Sequence, residues 1–199
     1  RYHNMFEIDK NFILTKEQED NLIKDIEFIG QKVFTDIYYD KENYDLTKKD
    51  IWFRARDGKF ELKLPLVNNE AGDRYEEVDD EDHIKEVLNI KGESLKESLG
   101  KYGYIPFCVC KTTRKKYKQG DFNIDVDSAE FDNGFRYSIS EIELMIDDDK
   151  KANEAAEKII NFAKNYGLRS VKNGKIIEYL KIYRPNQFKV LSDLGIFQK

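Results

Sequence analysis

The chain has 199 residues, of which 40% are hydrophobic, 13% aromatic and 37% charged, enough for one domain with a sizeable core and too apolar for a disordered chain. A formal net charge of −5 leaves no broad basic surface for nucleic acid or an anionic membrane. No apolar run approaches the ~20 residues that cross a bilayer, and no signal peptide is visible.

The first residue is Arg1 rather than Met, so the natural start is expected upstream. Residues 6–14, FEIDKNFIL, set Phe6 and Ile8 against Glu7, Asp9 and Asn11, the alternation of a strand. Thr15 with Gln18 resembles a capping box, Leu22, Ile23, Ile26 and Ile29 supply a helical stripe, and Gly30 is placed to stop it. Residues 32–40, KVFTDIYYD, return to strand. IWFRARD (51–57) and KFELKLPL (59–66) flank Asp57-Gly58, a dipeptide that predicts a hairpin.

The acidic stretch 76–88 passes from strand into a helix with Ile84, Val87 and Leu88 inward, and Ser94 to Gly100 predicts another short helix. Three long strand runs follow at 105–118, 121–131 and 135–146, separated by Gly120 and Asn133-Gly134, which implies an antiparallel sheet. Cys108 and Cys110 share a face of the first run, where they cannot easily bridge, and with His3 and His83 they form no zinc spacing. They read as reduced structural thiols of a cytoplasmic protein. Asp147 to Gly167 is a helix with Ala152, Ala155, Ala156, Ile159, Ile160 and Ala163 along one stripe. Shorter helices are expected near 174–182 and 185–194, the second opened by Pro185. No repeat or linker interrupts the pattern, so residues 1–199 are expected to form a single α+β domain.

Five strands carry charged residues two apart: Glu7 and Asp9, Arg54 and Arg56, Glu61 and Lys63, Asp125 and Asp127, Glu141 and Glu143. Solubility alone would mix the signs, because like charges adjacent on a sheet repel, yet four of these five pairs are of one sign. The apolar alternates, among them Phe53, Leu62, Ile124, Val126, Ile142 and Leu144, need covering, and the predicted helices can cover them from outside. That turns the charged face inward, into a curved or closed sheet. Acidic strands there suit a hard divalent cation, and basic strands suit a polyanion. The ligand these faces predict is a metal-bound phosphate chain.

These residues resemble the CYTH superfamily of triphosphate tunnel metalloenzymes, whose E-x-E-x-K strand reads here Glu7-Ile8-Asp9-Lys10-Asn11. Asp9 is one methylene shorter than the signature residue, and Asn11 stands in place of its lysine. DIYYD (36–40), DIWFRARDGKFELKLP (50–65), RYEEV (74–78), TTRKKY around Arg114, NIDVDSAEF with SEIEL (123–144) and KIIEYLKIYRP (175–185) are similar in order to the thiamine triphosphatase branch.

The resemblance implies a closed eight-stranded antiparallel β-barrel tunnel with helices packed outside, formed by one domain. It implies Mg²⁺-dependent hydrolysis of thiamine triphosphate, with Mn²⁺ as an alternative ion. Arg54, Arg56, Lys63, Arg114 and Lys175 look like the phosphate-binding residues. Asp125, Glu141 and Glu143 resemble the metal-binding carboxylates, with Glu7 and Asp9 on the neighbouring strand. Arg56, Lys63, Glu7 and Asp9 carry the catalytic assignments, Trp52 looks like the platform for the thiamine ring, and Asp127 and Glu77 are lesser acidic candidates.

The expected partner is a small-molecule triphosphate, with no membrane or nucleic acid, and the chain is expected to be a monomer. The alternatives are an inorganic tripolyphosphatase, a nucleoside or RNA 5′-triphosphatase, and a non-catalytic polyphosphate-binding module.

Overall fold

A computed structural model describes residues 6–65 and 75–197. Leu66, at the end of the predicted strand 59–66, and Arg74, in the RYEEV motif, lie outside the described residues, as does His3. The described residues contain nine strands: β1 (Phe6–Ile13), β2 (Glu27–Asp40), β3 (Trp52–Arg56), β4 (Lys59–Pro65), β5 (Tyr75–Val78), β6 (Ile105–Gln119), β7 (Phe122–Phe131), β8 (Arg136–Ile146) and β9 (Arg169–Val171). Six helices accompany them: α1 (Lys16–Ile23), α2 (Glu81–Val87), α3 (Leu95–Ser98), α4 (Ala152–Lys164), α5 (Lys175–Tyr183) and α6 (Pro185–Asp193). The sheet order is β5-β4-β3-β2-β6-β7-β8-β1-β9. The strand beyond the expected eight is the three-residue β9, which pairs with Asn11, Phe12 and Ile13 of β1.

The chain divides into two compact units, and the division falls inside β2, β6, β7 and α5. The first is Arg1–Val33, Thr112–Glu130 and Arg136–Lys175; the second is Phe34–Lys111, Phe131–Phe135 and Ile176–Lys199.

In the first unit, α4 lays Ala155, Ile159 and Ala163 on the apolar face of the sheet, against a core containing Phe12, Ile124, Val126, Ile142 and Leu144. Each fully buried Ile or Leu contributes roughly 1.5–3 kcal/mol to folding. Strand alternation then fixes the other face: with Ile142 and Leu144 in the core, Glu141 and Glu143 point away from it. Ile160, at 37% exposure, lies off the predicted stripe.

The capping box forms as the sequence predicts, with the Gln18 amide donating to the Thr15 hydroxyl and the Thr15 amide to the Gln18 side chain. The helix is nevertheless shorter than its apolar spacing predicts. It ends at Ile23, and Ile29 and Gly30 are strand residues of β2. Phe28, Ile29 and Val33 favour a pleated strand and Gly30 weakens a helix, so strand pairing overrides the i, i+3 pattern.

In the second unit, Phe53, Leu62 and Val78 of the sheet pack with Ile84, Leu88, Leu95 and Leu99 from the helical segment. Val87, expected inward, is 37% exposed, because the seven-residue helix turns Ile84 alone to the core, with Leu88 buried at its C-cap. The β3–β4 hairpin is built on Asp57 and Gly58, both at positive φ (49° and 84°), the conformation the Asp-Gly signal specifies. Cys108 and Cys110 are buried and form no disulfide, and burial pushes the Cys108 thiol up, which keeps it protonated and inert.

Candidate active site

In the first unit, β8 runs between β7 and β1, and its two glutamates meet acidic or amide residues on both sides. Glu141 lies opposite Asn11 of β1 and Asp125 of β7; Glu143 lies opposite Asp9 and Asn123. Glu7, Asp9 and Glu141 each place a carboxylate oxygen within 4.8 Å of the others. Burial, followed by the charges of Asp9, Glu7 and Asp125, pushes the Glu141 carboxyl up to about 8, with Arg114 pulling the other way. Concentrated carboxylates of this kind are a set of hard oxygen donors, which suits a divalent cation such as Mg²⁺.

Beside them, Arg114 on β6 makes a two-pronged ion pair with Asp127, Nε to Oδ1 and Nη2 to Oδ2, both at 2.8 Å. Its Nε also lies 3.5 Å from Asp125 Oδ2, and Lys116 Nζ lies 3.4 Å from Asp125 Oδ1. Lys175 Nζ donates to the Thr112 hydroxyl at 2.8 Å and to Asp127 Oδ2 at 3.4 Å. Burial would raise the Asp127 carboxyl, but the hydrogen bond from Arg114 and the charge of Lys175 hold it below the usual carboxylate value. Asp127, a lesser candidate on sequence, is thus the common partner of two expected phosphate ligands.

The second unit carries the other basic residues. Arg54, 7% exposed, donates from Nε to Glu61 at 2.8 Å, from Nη1 to the Tyr38 hydroxyl at 3.4 Å and from Nη2 to Glu77 at 3.3 Å. Burial works against the Arg54 charge, but Tyr38 and Glu61 outweigh it and keep the guanidinium charged. Burial pushes the Tyr38 phenol up to about 12.

Arg56 makes a forked pair with the fully buried Asp36 at 2.7 and 3.0 Å, and its guanidinium lies 4.0 Å from the centre of the Phe34 ring. Lys63 sits opposite Trp52 on one side and Glu77 on the other. Trp52 is half-buried, with its indole N–H donating to Asp50 at 2.8 Å.

Glu7, Asp9 and Glu141 therefore form one cluster, while Arg114, Lys175, Asp125 and Asp127 form a second within the same unit. Trp52, Arg54, Arg56 and Lys63 belong to the other unit. Sequence reasoning missed Asp36 and Asp50 as partners. The signal for Asp36 was present in DIYYD, whose period of two puts Asp36, Tyr38 and Asp40 on one face.

The sequence matches the profile of the CYTH domain over residues 5–173. It is 25% identical to human thiamine-triphosphatase over 215 residues, covering 96% of this chain and 91% of that protein. The Macaca fascicularis thiamine-triphosphatase is 24% identical over 213 residues, with the same coverage of 96% and 91%. A solved Pyrococcus horikoshii protein superposes with a TM-score of 0.62 at 20% identity, over 91% of this chain and 99% of its own. A Hippeastrum protein, named for adenylyl cyclase and described as having a dominant triphosphatase activity, superposes with a TM-score of 0.58 at 14% identity, over 91% and 96%. These likenesses in structure establish the fold, a tunnel-type antiparallel sheet with helices outside.

Proposed function

The chain belongs to the CYTH domain family, and from that premise we propose that it hydrolyses thiamine triphosphate to thiamine diphosphate and phosphate with a divalent cation. The triphosphatase class is supported by the family, by the two thiamine-triphosphatase relatives and by the activity of the Hippeastrum neighbour. The thiamine head group is supported by those relatives and by Trp52.

The observation that carries the reading is the convergence of Glu7, Asp9 and Glu141 within 4.8 Å. These hard oxygen donors fit Mg²⁺, or Mn²⁺ in its place, and Asp125 and Glu143 are assigned beside them. When bound, the ion supplies charge neutralisation at the phosphate oxygens.

Arg54, Arg56, Lys63, Arg114 and Lys175 are assigned to bind the phosphate chain. A guanidinium has five N–H donors, and a single forked carboxylate takes two of them. Asp36 and Asp127 can therefore fix the orientation of Arg56 and Arg114 without consuming their capacity to bind phosphate. Donors held in place before reaction stabilise developing charge without reorganising, and that is the contribution assigned to Arg56 and Lys63. Glu7 and Asp9, both exposed, accept hydrogen bonds from a water and align it for in-line attack. No covalent nucleophile is needed.

One observation favours a second reading. Asn11 occupies the position of the signature lysine, directly opposite Glu141, and loss of a phosphate-binding cation there fits a module that binds polyphosphate without turnover.

Phosphate release from thiamine triphosphate, tripolyphosphate, ATP and GTP at equal concentration, with Mg²⁺ and with EDTA, tests the reading. Preferential, EDTA-sensitive cleavage of thiamine triphosphate is expected. Faster cleavage of tripolyphosphate would move the function to a general triphosphatase. Mg²⁺-dependent binding without release would leave the binding module. No helix among the described residues is long and apolar enough to cross a membrane.

A further inference from the structure

The Trp52 ring is held by a carboxylate that the phosphate chemistry does not use. Asp50 Oδ1 accepts the indole N–H at 2.8 Å, and the Tyr75 hydroxyl lies 2.9 Å from both carboxylate oxygens. Asp50 is itself set by the loop before it. The buried Asp40 carboxylate accepts the amides of Lys41, Leu46 and Thr47 and the Thr47 hydroxyl, at 2.8, 2.9, 3.0 and 2.6 Å. The Thr47 carbonyl then receives the Asp50 amide at 2.9 Å. Asp50 takes a left-handed conformation (φ 60°), which an aspartate adopts more readily than most residues. A negative charge is thus fixed within hydrogen-bond distance of the ring by a chain of buried and part-buried contacts.

We propose that Asp50 is a positioning residue that orients Trp52 and makes this aromatic platform selective for a cationic aromatic head group over a neutral one. The proposal rests on the reading of Trp52 as the head-group platform. An aromatic face attracts a cation through its quadrupole, and a carboxylate bonded to the ring edge adds a Coulombic attraction that a neutral base does not share. Lys63, opposite Trp52 in the sheet, is assigned to phosphate, so the two charges beside the ring have opposite sign. A ligand with a cationic ring and an anionic tail matches that order. Asp50 acts through Trp52 and touches no reacting atom.

Trp52 is the single tryptophan of the chain, so its fluorescence reports this position alone. Thiamine diphosphate and ADP carry the same number of phosphates on a cationic and a neutral ring, and each is titrated with Mg²⁺ into the full chain and into Asp50→Asn. Asparagine can still accept the indole hydrogen bond but removes the charge. Thiamine diphosphate is expected to quench Trp52, with Kd rising about tenfold in Asp50→Asn, while Kd for ADP changes less than twofold.

Equal weakening of both ligands would reduce Asp50 to a structural role and overturn the proposal. An unchanged Kd for thiamine diphosphate, or no response of Trp52 to it in the natural chain, would overturn it as well. If Asp50→Asn fails to fold by circular dichroism, Tyr75→Phe takes its place. It leaves the charge but loosens its tether, so a two- to threefold rise for thiamine diphosphate alone is expected, and a parallel rise for ADP overturns the proposal. The substrate assignment fails separately: quenching by thiamine diphosphate in a chain that does not cleave thiamine triphosphate would sink the proposed reaction and leave the role of Asp50 standing.

Discussion

Asp127 shows how a single carboxylate can organise a basic cluster. At 5% exposure it receives both prongs of Arg114 and lies within reach of Lys175, and that pairing holds its carboxyl below the ordinary value of 3.8 despite burial. A depressed carboxyl contributes stability that is present above its unfolded value and lost as the pH falls through its folded value. Asp127→Asn should therefore flatten the acid limb of a stability-versus-pH curve measured by urea denaturation. At neutral pH it should cost about 3 kcal/mol, because it leaves a partly buried guanidinium short of its main partner. A cost under about 0.5 kcal/mol with an unchanged acid limb would mean that Asp125 alone satisfies Arg114. The sequence showed that Asp127 had the right parity, but parity identifies a face and says nothing about which group across the sheet answers it.

The β3–β4 hairpin is the element where local sequence and structure agree most closely, because two residues decide the turn. Asp57 and Gly58 both take positive φ, and Asp57 further binds β2, accepting the Thr35 amide at 2.8 Å and donating its own to the Thr35 carbonyl at 2.9 Å. The register that follows sets Arg54 opposite Glu61 and Tyr38, and Arg56 opposite Asp36. Gly58→Val should cost about 1–3 kcal/mol, since a β-branched residue is strained at φ 84° although its Cβ would meet nothing within 4 Å. In thermal unfolding that corresponds to a fall in Tm of roughly 2–4 °C per kcal/mol for a chain of this size. An unchanged Tm would mean that the turn is not a constraint on the strand register. Where the sequence misled, a longer-range contact won: β2 claimed Ile29 and Gly30 from the helical stripe. Strand β9 is three residues long, too short to show a period, and exists through its pairing with β1. The strand faces and hairpins were legible because they follow from alternation and turn chemistry. The partners Asp36 and Asp50 were not, because ion pairs and hydrogen bonds between segments follow from tertiary geometry.

At the scale of the whole chain, a formal charge of −5 and the packing of Glu7, Asp9 and Glu141 into one cluster make ion binding and stability a linked question. Burial, followed by the like charges of Asp9, Glu7 and Asp125, raises the Glu141 carboxyl and favours its protonated form, and like charges held within 4.8 Å destabilise the folded state. An ion that binds the folded chain and not the unfolded one stabilises it by mass action, about 2.7 kcal/mol when its concentration is a hundred times Kd. At roughly 2–4 °C per kcal/mol, Mg²⁺ or Mn²⁺ at that excess should raise Tm by about 5–10 °C. The comparison is NaCl at equal ionic strength, because general screening also relieves repulsion among surface carboxylates. Glu141→Gln removes one carboxylate oxygen and the negative charge that Glu141 would carry with an ion bound, while keeping the shape of the side chain. It should abolish most of the divalent-specific shift and lower kcat by at least ~100-fold, the scale of losing one preorganised electrostatic contact, with the circular dichroism spectrum unchanged. A full Mg²⁺ shift in Glu141→Gln would place the ion elsewhere in the chain. A shift equalled by NaCl would reduce the effect to screening and remove the physical basis for assigning Glu7, Asp9 and Glu141 to a metal.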